Sequence, residues 1–234
     1  MEEQEYKGFT IKIHQDEFAI DPREDFDHLG TMACWHARYN LGDPEPREQK
    51  PAHYLYDVLT GVDPEDEVAR RWNENELDDY DFISAALDRL QENAVVLPLA
   101  LLDHSGLWIR AGYSFAEDPG GWDTSRVGFI FVTHEKIKEE YGAVNDETLE
   151  KARKCLFAEV EEYSHYLEGA VYDYTVEDPD GETIDGCGGY YGDHEQSGLL
   201  DDAKKAIDFT IAEYEEERAQ MTALETGADH VSLF

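Results

Sequence analysis

The chain has 234 residues, 55 of them acidic and 19 basic, and its formal net charge at pH 7 is −36. Such a surface disfavours direct binding to nucleic acid or to an anionic membrane, because both depend on lysine and arginine side chains. The hydrophobic content of 41% is enough for a folded core, and the sequence has no apolar run of about 18 residues that would predict a membrane-spanning helix.

The first third of the chain predicts two strands and then a helical region. Residues 6–14 alternate between apolar and polar side chains, as a strand with one solvated face does, and residues 31–36 form a second candidate strand. Three helical stretches follow between residues 51 and 92, after a proline-rich connection. We expect residues 51–92 to form a helical insertion.

The most apolar part of the chain lies between residues 94 and 134 and predicts a β-meander. Its three apolar runs cover residues 94–102, 107–113 and 127–132, and turns rich in Gly, Asp and Ser separate them. Sheet faces this apolar must be covered, so we expect the helical segments to pack against them.

The last part of the chain predicts two long helices with a hairpin between them. Residues 146–167 and 199–220 carry apolar side chains at helical spacing. Between them, residues 170–176 and 182–191 flank an Asp-Pro-Asp-Gly turn, which is typical of a hairpin. Residues 225–234 are expected to form a loosely held tail.

Together these elements predict the α+β class. We expect one mainly antiparallel sheet of five to seven strands, with two long flanking helices and the insertion at 51–92, in a single domain over residues 1–234. The acidic amino terminus lacks the apolar core of a secretory signal, and Cys34, Cys155 and Cys187 are too few and too far apart for a disulfide framework. We therefore expect a cytoplasmic protein, and the sequence leaves its oligomeric state open.

Two groups of residues are candidates for a metal site. An aspartate-rich loop, which includes Asp25 and Asp27, offers carboxylate oxygens to a divalent cation and ends at His28. Cys34 and His36 supply ligands typical of zinc, but a second closely spaced ligand pair is missing. The alternative is a half-buried cysteine, a surface histidine and a solvated acidic loop, and we expect no cofactor.

Two loops of the meander contain candidates for contact with a protein partner. Asp103 and His104 lie in an Asp-His-Ser-Gly turn, and Trp122 and Asp123 lie in a glycine-containing loop. Asp, His and Ser are the residue types of a hydrolytic triad, but three consecutive residues cannot converge on one another as a triad requires. Aspartate at the first position and glycine at the last favour a simple turn. The tryptophan can contact a partner or cover the sheet.

The acidic residues have two possible explanations. In a salt-rich cytoplasm the Debye length falls to about 3 Å at 1 M salt, so a surface acidic on all sides is screened against self-repulsion. A protein that imitates the phosphate backbone of DNA instead needs its acidic residues concentrated on one face. The even spread of Asp and Glu along the chain favours salt adaptation, but it leaves a one-sided surface open.

Three stretches share a recognisable pattern of glycine, aspartate and aromatic residues: Asp21-Pro22-Arg23 with Leu29-Gly30-Thr31-Met32, Cys34, His36, Arg38-Tyr39 and Leu41-Gly42-Asp43; Leu97-Pro98-Leu99 with Asp103-His104-Ser105-Gly106; and Trp122-Asp123 with Val127-Gly128-Phe129-Ile130. The pattern resembles an uncharacterised family of small acidic proteins carried by tailed phages, prophages and mobile elements, over residues 6–192. The resemblance implies a viral or mobile-element accessory protein and supplies no catalytic residue. Scarce lysine with abundant acid suggests a member from a salt-loving archaeon or its virus.

Three functional hypotheses follow. The first is a non-enzymatic accessory protein of a halophilic virus or mobile element that binds a protein partner through the sheet loops. The second is a DNA-mimic inhibitor of a host defence nuclease or restriction system. The third is a metal-dependent enzyme, although no P-loop, dinucleotide-binding, esterase or zincin motif is present in the sequence. We favour the first.

Overall fold

A computed structural model describes residues 2–228 of the chain. Within these residues the chain forms eight strands and eight helices, which confirms the α+β class. The strands are β1 (Glu2–Tyr6), β2 (Phe9–Gln15), β3 (Thr31–Cys34), β4 (Ala94–Asp103), β5 (Leu107–Ala111), β6 (Thr124–Thr133), β7 (Val171–Glu177) and β8 (Thr183–Tyr191). The helices are α1 (Pro22–Asp25), α2 (Pro44–Arg47), α3 (Pro51–Val62), α4 (Glu67–Asn73), α5 (Asp79–Leu90), α6 (His134–Tyr141), α7 (Asp146–Glu168) and α8 (Leu199–Ala228). None of these helices is both long and apolar enough to cross a membrane.

The strands of residues 2–228 form two antiparallel sheets of four, not one sheet of five to seven. Their orders are β1-β2-β7-β8 and β3-β6-β4-β5. The predicted single sheet was wrong because apolar alternation identifies strands but does not identify their neighbours. Contacts also divide the chain into a terminal unit, up to Ala19 and from Gly169 onward, and a central unit, Ile20–Glu168. The expectation of a single domain over residues 1–234 stays a prediction.

In the terminal unit, α8 covers one face of the first sheet. β1 and β2 form a hairpin whose turn consists of Lys7 and Gly8, both with left-handed backbone (φ 52° and 87°). The predicted strand over residues 6–14 is confirmed from Phe9 onward, but its start was wrong, because this turn separates Tyr6, the last residue of β1, from Phe9. The glutamates of β1 leave that strand without the apolar pattern that predicts one. The buried residues between sheet and helix are Phe9, Ile11, Ile13, Tyr174, Val176, Leu199, Leu200, Ala203 and Ile207.

The last helix is longer than predicted. α8 continues to Ala228, so residues 225–228 of the expected tail are helical, and residues 229–234 lie outside the described residues. Its first half packs against the sheet, whereas the side chains of residues 212–224 are exposed.

The central unit has three layers, with α7 on one face of the second sheet and α3, α4 and α5 on the other. Val95, Leu97 and Leu99 of β4 pack on the α7 side, and Ala94 packs on the side of the three helices. The predicted insertion at 51–92 thus forms one layer of this unit. In the predicted meander β5 would lie between β4 and β6, but in the structure β4 lies between β5 and β6. The central position suits β4, because it is the most apolar run of the chain and is buried on both faces.

A β-bulge in β6 decides which of its side chains face which layer. Gly128 and Arg126 pair with consecutive residues of β4, so Val127 is an extra residue. Gly128 has φ 156°, and a Cβ there would lie 1.9 Å from the carbonyl oxygen of Ala33 on β3. Only glycine fits this position. Because of the bulge, Val127 joins the core on the α7 side and Arg126 faces the opposite side.

Candidate functional site

Charged residues of the first recognised stretch meet in the interior of the central unit. The guanidinium of Arg23 donates to Asp43 Oδ1 (2.6 Å), to Glu159 Oε2 (3.0 Å) and to the carbonyl oxygen of Gly30 (2.8 Å). Glu159 also accepts the backbone N–H groups of Leu29 and Gly30. Burial lowers the pKa of Arg23, but these carboxylates outweigh it and raise the pKa above its ordinary value. We call Arg23, Asp43 and Glu159 the Arg23 cluster.

The Arg23 cluster has no room for a ligand. A Cβ at Gly30 would lie 2.2 Å from Cδ2 of Leu156, and one at Gly42 would lie 2.4 Å from the carbonyl oxygen of Met32. Gly42, at φ 67°, donates its N–H to the hydroxyl of Tyr163 on α7 at 3.0 Å. These hydrogen bonds therefore hold residues 21–43 against α7, which is a structural role.

The structure does not bring the proposed metal ligands together. His28 Nε2 lies 2.7 Å from a backbone carbonyl oxygen, and Cys34 is buried in the core on the α7 side, where burial raises its pKa. His36 stacks on a tyrosine ring, and Asp25 and Asp27 are exposed. Within residues 2–228 no group of three His, Cys, Asp or Glu side chains is placed to hold a metal ion.

The residues proposed for partner contact do lie together, at one end of the second sheet. His104 Nδ1 is 2.8 Å from Asp123 Oδ2, and the N–H of Asp103 donates to the carbonyl oxygen of Asp123 at 3.0 Å. The side chain of Trp122 is 90% exposed, so it does not cover the sheet. We call Asp103, His104, Trp122 and Asp123 the loop cluster.

Asp118 holds the loop that carries Trp122. Its carboxylate accepts hydrogen bonds from the hydroxyl of Thr124 (2.8 Å) and from the N–H groups of Asp123 (2.9 Å) and Trp122 (3.1 Å). These bonds, the one from Thr124 above all, hold the pKa of Asp118 below its ordinary value. The exposed tryptophan therefore stands on a hydrogen-bonded loop.

Two further residues join the loop cluster. Arg38 forms an ion pair with Asp103 and also lies over the ring of Tyr39, 5.2 Å from its centroid. The hydroxyl of Tyr39 donates to the same carboxylate at 3.1 Å. Sequence reasoning missed both residues as members of this site, because they lie about sixty positions from Asp103 and only the fold brings them there.

A groove of about 640 Å³ lies beside the loop cluster, along the edge strand β5. α7 contributes Phe157, Val160 and Ser164 to its lining, and the loop after β5 contributes Phe115. His104 belongs both to the lining and to the loop cluster. The groove therefore combines apolar surface with polar groups from three elements.

No protein-family model, curated protein or solved structure matches this chain. The resemblance to phage and mobile-element proteins stays a prediction, and the function has to be argued from the geometry.

One signal for the groove was present in the sequence. The buried stripe of α7 includes Leu156 and Val160, and Phe157 lies next to that stripe, where a helix usually turns polar residues to solvent. Phe157 is 47% exposed. An aromatic residue off the apolar stripe of a predicted helix is a candidate for a binding surface.

Proposed function

We propose that this chain is a non-enzymatic accessory protein of a virus or mobile element, and that it binds a protein partner in the groove beside β5. The groove carries the proposal: it has a volume of about 640 Å³ and is lined largely by apolar and aromatic side chains. Trp108, Phe115 and Phe157 contribute to its lining, and Trp122 is exposed nearby. Aromatic side chains of this kind dominate the binding energy of protein interfaces.

The partner segment that fits this groove is apolar with basic flanks. The lining contains two carboxylates, Glu117 and Glu161, against one guanidinium, Arg110, and Asp123 of the loop cluster is nearby, in a chain of net charge −36. Charge complementarity favours lysine or arginine at the ends of the bound segment. In concentrated salt, where the Debye length is about 3 Å, the apolar contacts must supply most of the affinity.

The acidic surface is, in this proposal, an adaptation to salt. Exposed acidic residues occur on both helical layers of the central unit, for example Glu161 on α7 and Asp88 on α5. Among the described residues only Asp66 and Glu159 are buried carboxylates. A DNA mimic needs its acid on one face, so this two-sided placement supports salt adaptation over mimicry.

Selection from a library of short random peptides, displayed and panned in about 3 M KCl, tests the groove. Enriched peptides are expected to have an apolar core and to bind Phe157→Glu at least tenfold more weakly, a loss of about 1.4 kcal/mol. Phe209→Glu is the matched control, because Phe209 is an exposed phenylalanine on α8 and does not line the groove. Equal binding to wild type and Phe157→Glu, or no enrichment, would overturn the proposal.

Circular dichroism and thermal melting between about 0.05 M and 3 M KCl test the salt adaptation, because the screening length shrinks several-fold over this range. The melting temperature is expected to rise steeply with salt, and the cooperative transition to disappear at the lowest concentration. A melting temperature that does not change with salt would contradict adaptation. Binding of a basic nuclease would then be the next measurement.

A further inference from the structure

Two arginines of the second sheet have no carboxylate partner. Within residues 2–228, Arg110 of β5 and Arg126 of β6 are exposed, and no carboxylate oxygen lies within 4.0 Å of either guanidinium. Most arginines of the chain are ion-paired instead, namely Arg23, Arg38, Arg47, Arg70, Arg71 and Arg89. In a protein with 55 acidic residues, an unpaired guanidinium is a group that remains available to an anion from solution.

Arg110 and Arg126 lie in one row of the sheet and on the same face. Both pair with Ala100 of the central strand β4, Arg110 from one side and Arg126 from the other. Their Cα atoms are therefore two strand spacings apart, about 10 Å, and the residue between them is uncharged. Arg153 and Arg218 also lack an ion pair among the described residues, but each follows a glutamate by three positions on a helix. The row on the sheet contains no such carboxylate.

Two aromatic rings of the loop after β5 hold these guanidiniums. The Cζ atom of Arg110 lies 5.5 Å from the ring centroid of Phe115, and that of Arg126 lies 5.0 Å from the ring centroid of Tyr113. Such cation–π contacts orient an arginine side chain but use none of its N–H donors. Neither guanidinium donates a hydrogen bond to another residue in the part of the chain that the structure describes. The five N–H donors of each arginine are therefore open to a ligand.

A cavity of about 350 Å³ adjoins Arg126 and places further groups beside it. Tyr113, Ser114 and Thr124 contribute to its lining, and the hydroxyl of Ser114 is a further donor. Asp118 lines the cavity too, but its carboxylate oxygens already accept three hydrogen bonds from the loop, which offset part of its charge. The cavity therefore combines donors for an anion with an aromatic wall.

We infer that Arg110 and Arg126 bind a small aromatic phosphate monoester on this face of the sheet, a function in addition to that of the groove. A guanidinium fork matches the oxygens of a phosphate. A phosphate monoester presents three terminal oxygens, enough for two arginines, whereas one fork occupies both oxygens of a carboxylate. The ring of the ester stacks on Tyr113, which is 63% exposed. In concentrated salt the net charge of −36 does not exclude the ligand, because the Debye length is about 3 Å at 1 M.

The test is isothermal titration calorimetry of the intact protein in about 3 M KCl, with phenyl phosphate, inorganic phosphate and benzoate as ligands. Phenyl phosphate is expected to bind at least tenfold more tightly than the other two, since only it has both a phosphate and a ring. Arg110→Gln and Arg126→Gln are each expected to weaken its binding at least tenfold. Arg153→Gln is the matched control and should change the affinity less than about twofold, because Arg153 is an exposed arginine of α7 that lines neither the groove nor the cavity.

Two further measurements make the outcomes decisive. Both glutamine variants should keep the wild-type melting temperature, because the side chains that they replace are exposed, so a loss of affinity reports the site and not unfolding. Phe157→Glu should bind phenyl phosphate as wild type does, so this inference and the proposed function can fail separately. The inference is overturned if phenyl phosphate does not bind, if either glutamine variant binds it normally, or if Arg153→Gln loses as much affinity. Equally tight binding of inorganic phosphate or of benzoate overturns the aromatic ester as the ligand.

Discussion

The Arg23 cluster and the groove beside β5 lie in the same unit but differ in how many of their side chains are already bound to other parts of the protein. In the Arg23 cluster each guanidinium nitrogen and each carboxylate oxygen has a protein partner. The only described buried side-chain atoms without a hydrogen-bond partner are Asp173 Oδ1 and Ser197 Oγ, and both belong to the terminal unit. The groove, by contrast, presents aromatic side chains that are partly open to solvent, such as Phe157.

This difference shows that residue type alone does not identify a functional site. The first recognised stretch contains Arg, Asp, His and Cys, which are the residue types of catalytic and metal centres, yet the fold uses these side chains to support the chain around β3. The groove is lined mostly by residues that carry no motif. The two regions differ in whether their side chains are free to contact a partner, and not in the chemical reactivity of those side chains.

The largest effect on the free energy of unfolding is expected from a substitution that removes one charged partner from the Arg23 cluster. Glu159→Leu leaves Arg23, which is 5% exposed, without one of its carboxylates, and losing one partner of a buried ion pair costs about 3–5 kcal/mol. Chemical denaturation in about 3 M KCl measures the free energy of unfolding. The double variant Arg23→Met/Glu159→Leu is expected to be more stable than Glu159→Leu. A single-variant loss below about 1 kcal/mol would show that the pair is not a structural support.

A second test measures how tightly the cluster is packed. Gly30→Ala places a methyl group 2.2 Å from Leu156 Cδ2, and overpacking of this kind costs about 1–3 kcal/mol. Gly61→Ala is the matched control, since nothing lies within 4 Å of a Cβ at that helical position and alanine is favoured there by up to about 1 kcal/mol. Denaturation curves that shift equally for both variants would contradict the packing argument.

At the groove, substitution is expected to leave stability nearly unchanged. Phe157→Ala removes a side chain that is 47% exposed, so the free energy of unfolding should change by less than about 0.5 kcal/mol. The neighbouring Leu156→Ala removes a fully buried side chain and should cost about 2–5 kcal/mol. The same denaturation experiment compares them. If Phe157→Ala is as damaging as Leu156→Ala, then Phe157 belongs to the core and the groove loses its main support.

The smallest effect is local and depends on pH. The folded pKa of Asp118 lies below its ordinary value of 3.8, so the ionised carboxylate stabilises the Trp122 loop above that pH, and this stabilisation is lost as the pH falls through the folded pKa. The backbone amide signals of Trp122 and Asp123, followed by NMR, should therefore change with a midpoint below pH 3.8. In Asp118→Asn this transition should be absent. A midpoint above 3.8 would mean that the three hydrogen bonds do not stabilise the ionised form.

Much of the fold follows from apolar patterning. The runs that predict β4, β5 and β6 are strands, and the stripes that predict α7 and α8 are helices, because each of these elements buries a regular series of side chains. The glutamate-rich β1 was missed because the edge strand of a hairpin does not need an apolar face. The division into two sheets could not be predicted, since local periodicity carries no information about which strands pair.

The site was predictable only in part, for a related reason. The candidates in the two loops of the meander lie 19 positions apart and do meet, as in His104 with Asp123. Arg23 and Glu159 are 136 positions apart, and nothing in either segment indicates the other. The groove depends on the packing of α7 against β5, which the sequence does not specify.

The bulge at Val127 also has a consequence for engineering of the loop before it. Removal of Val127 would restore a regular ladder and leave Arg126 opposite Ala100, but the core on the α7 side would lose the buried Val127 side chain. A change of length within this strand is therefore expected to destabilise the fold. Insertion at the loop tip, Gly120 and Gly121, leaves the strand register untouched, because Asp118 and Thr124 are bound to each other across the base of the loop. That tip is a suitable graft point for a foreign epitope or an affinity tag.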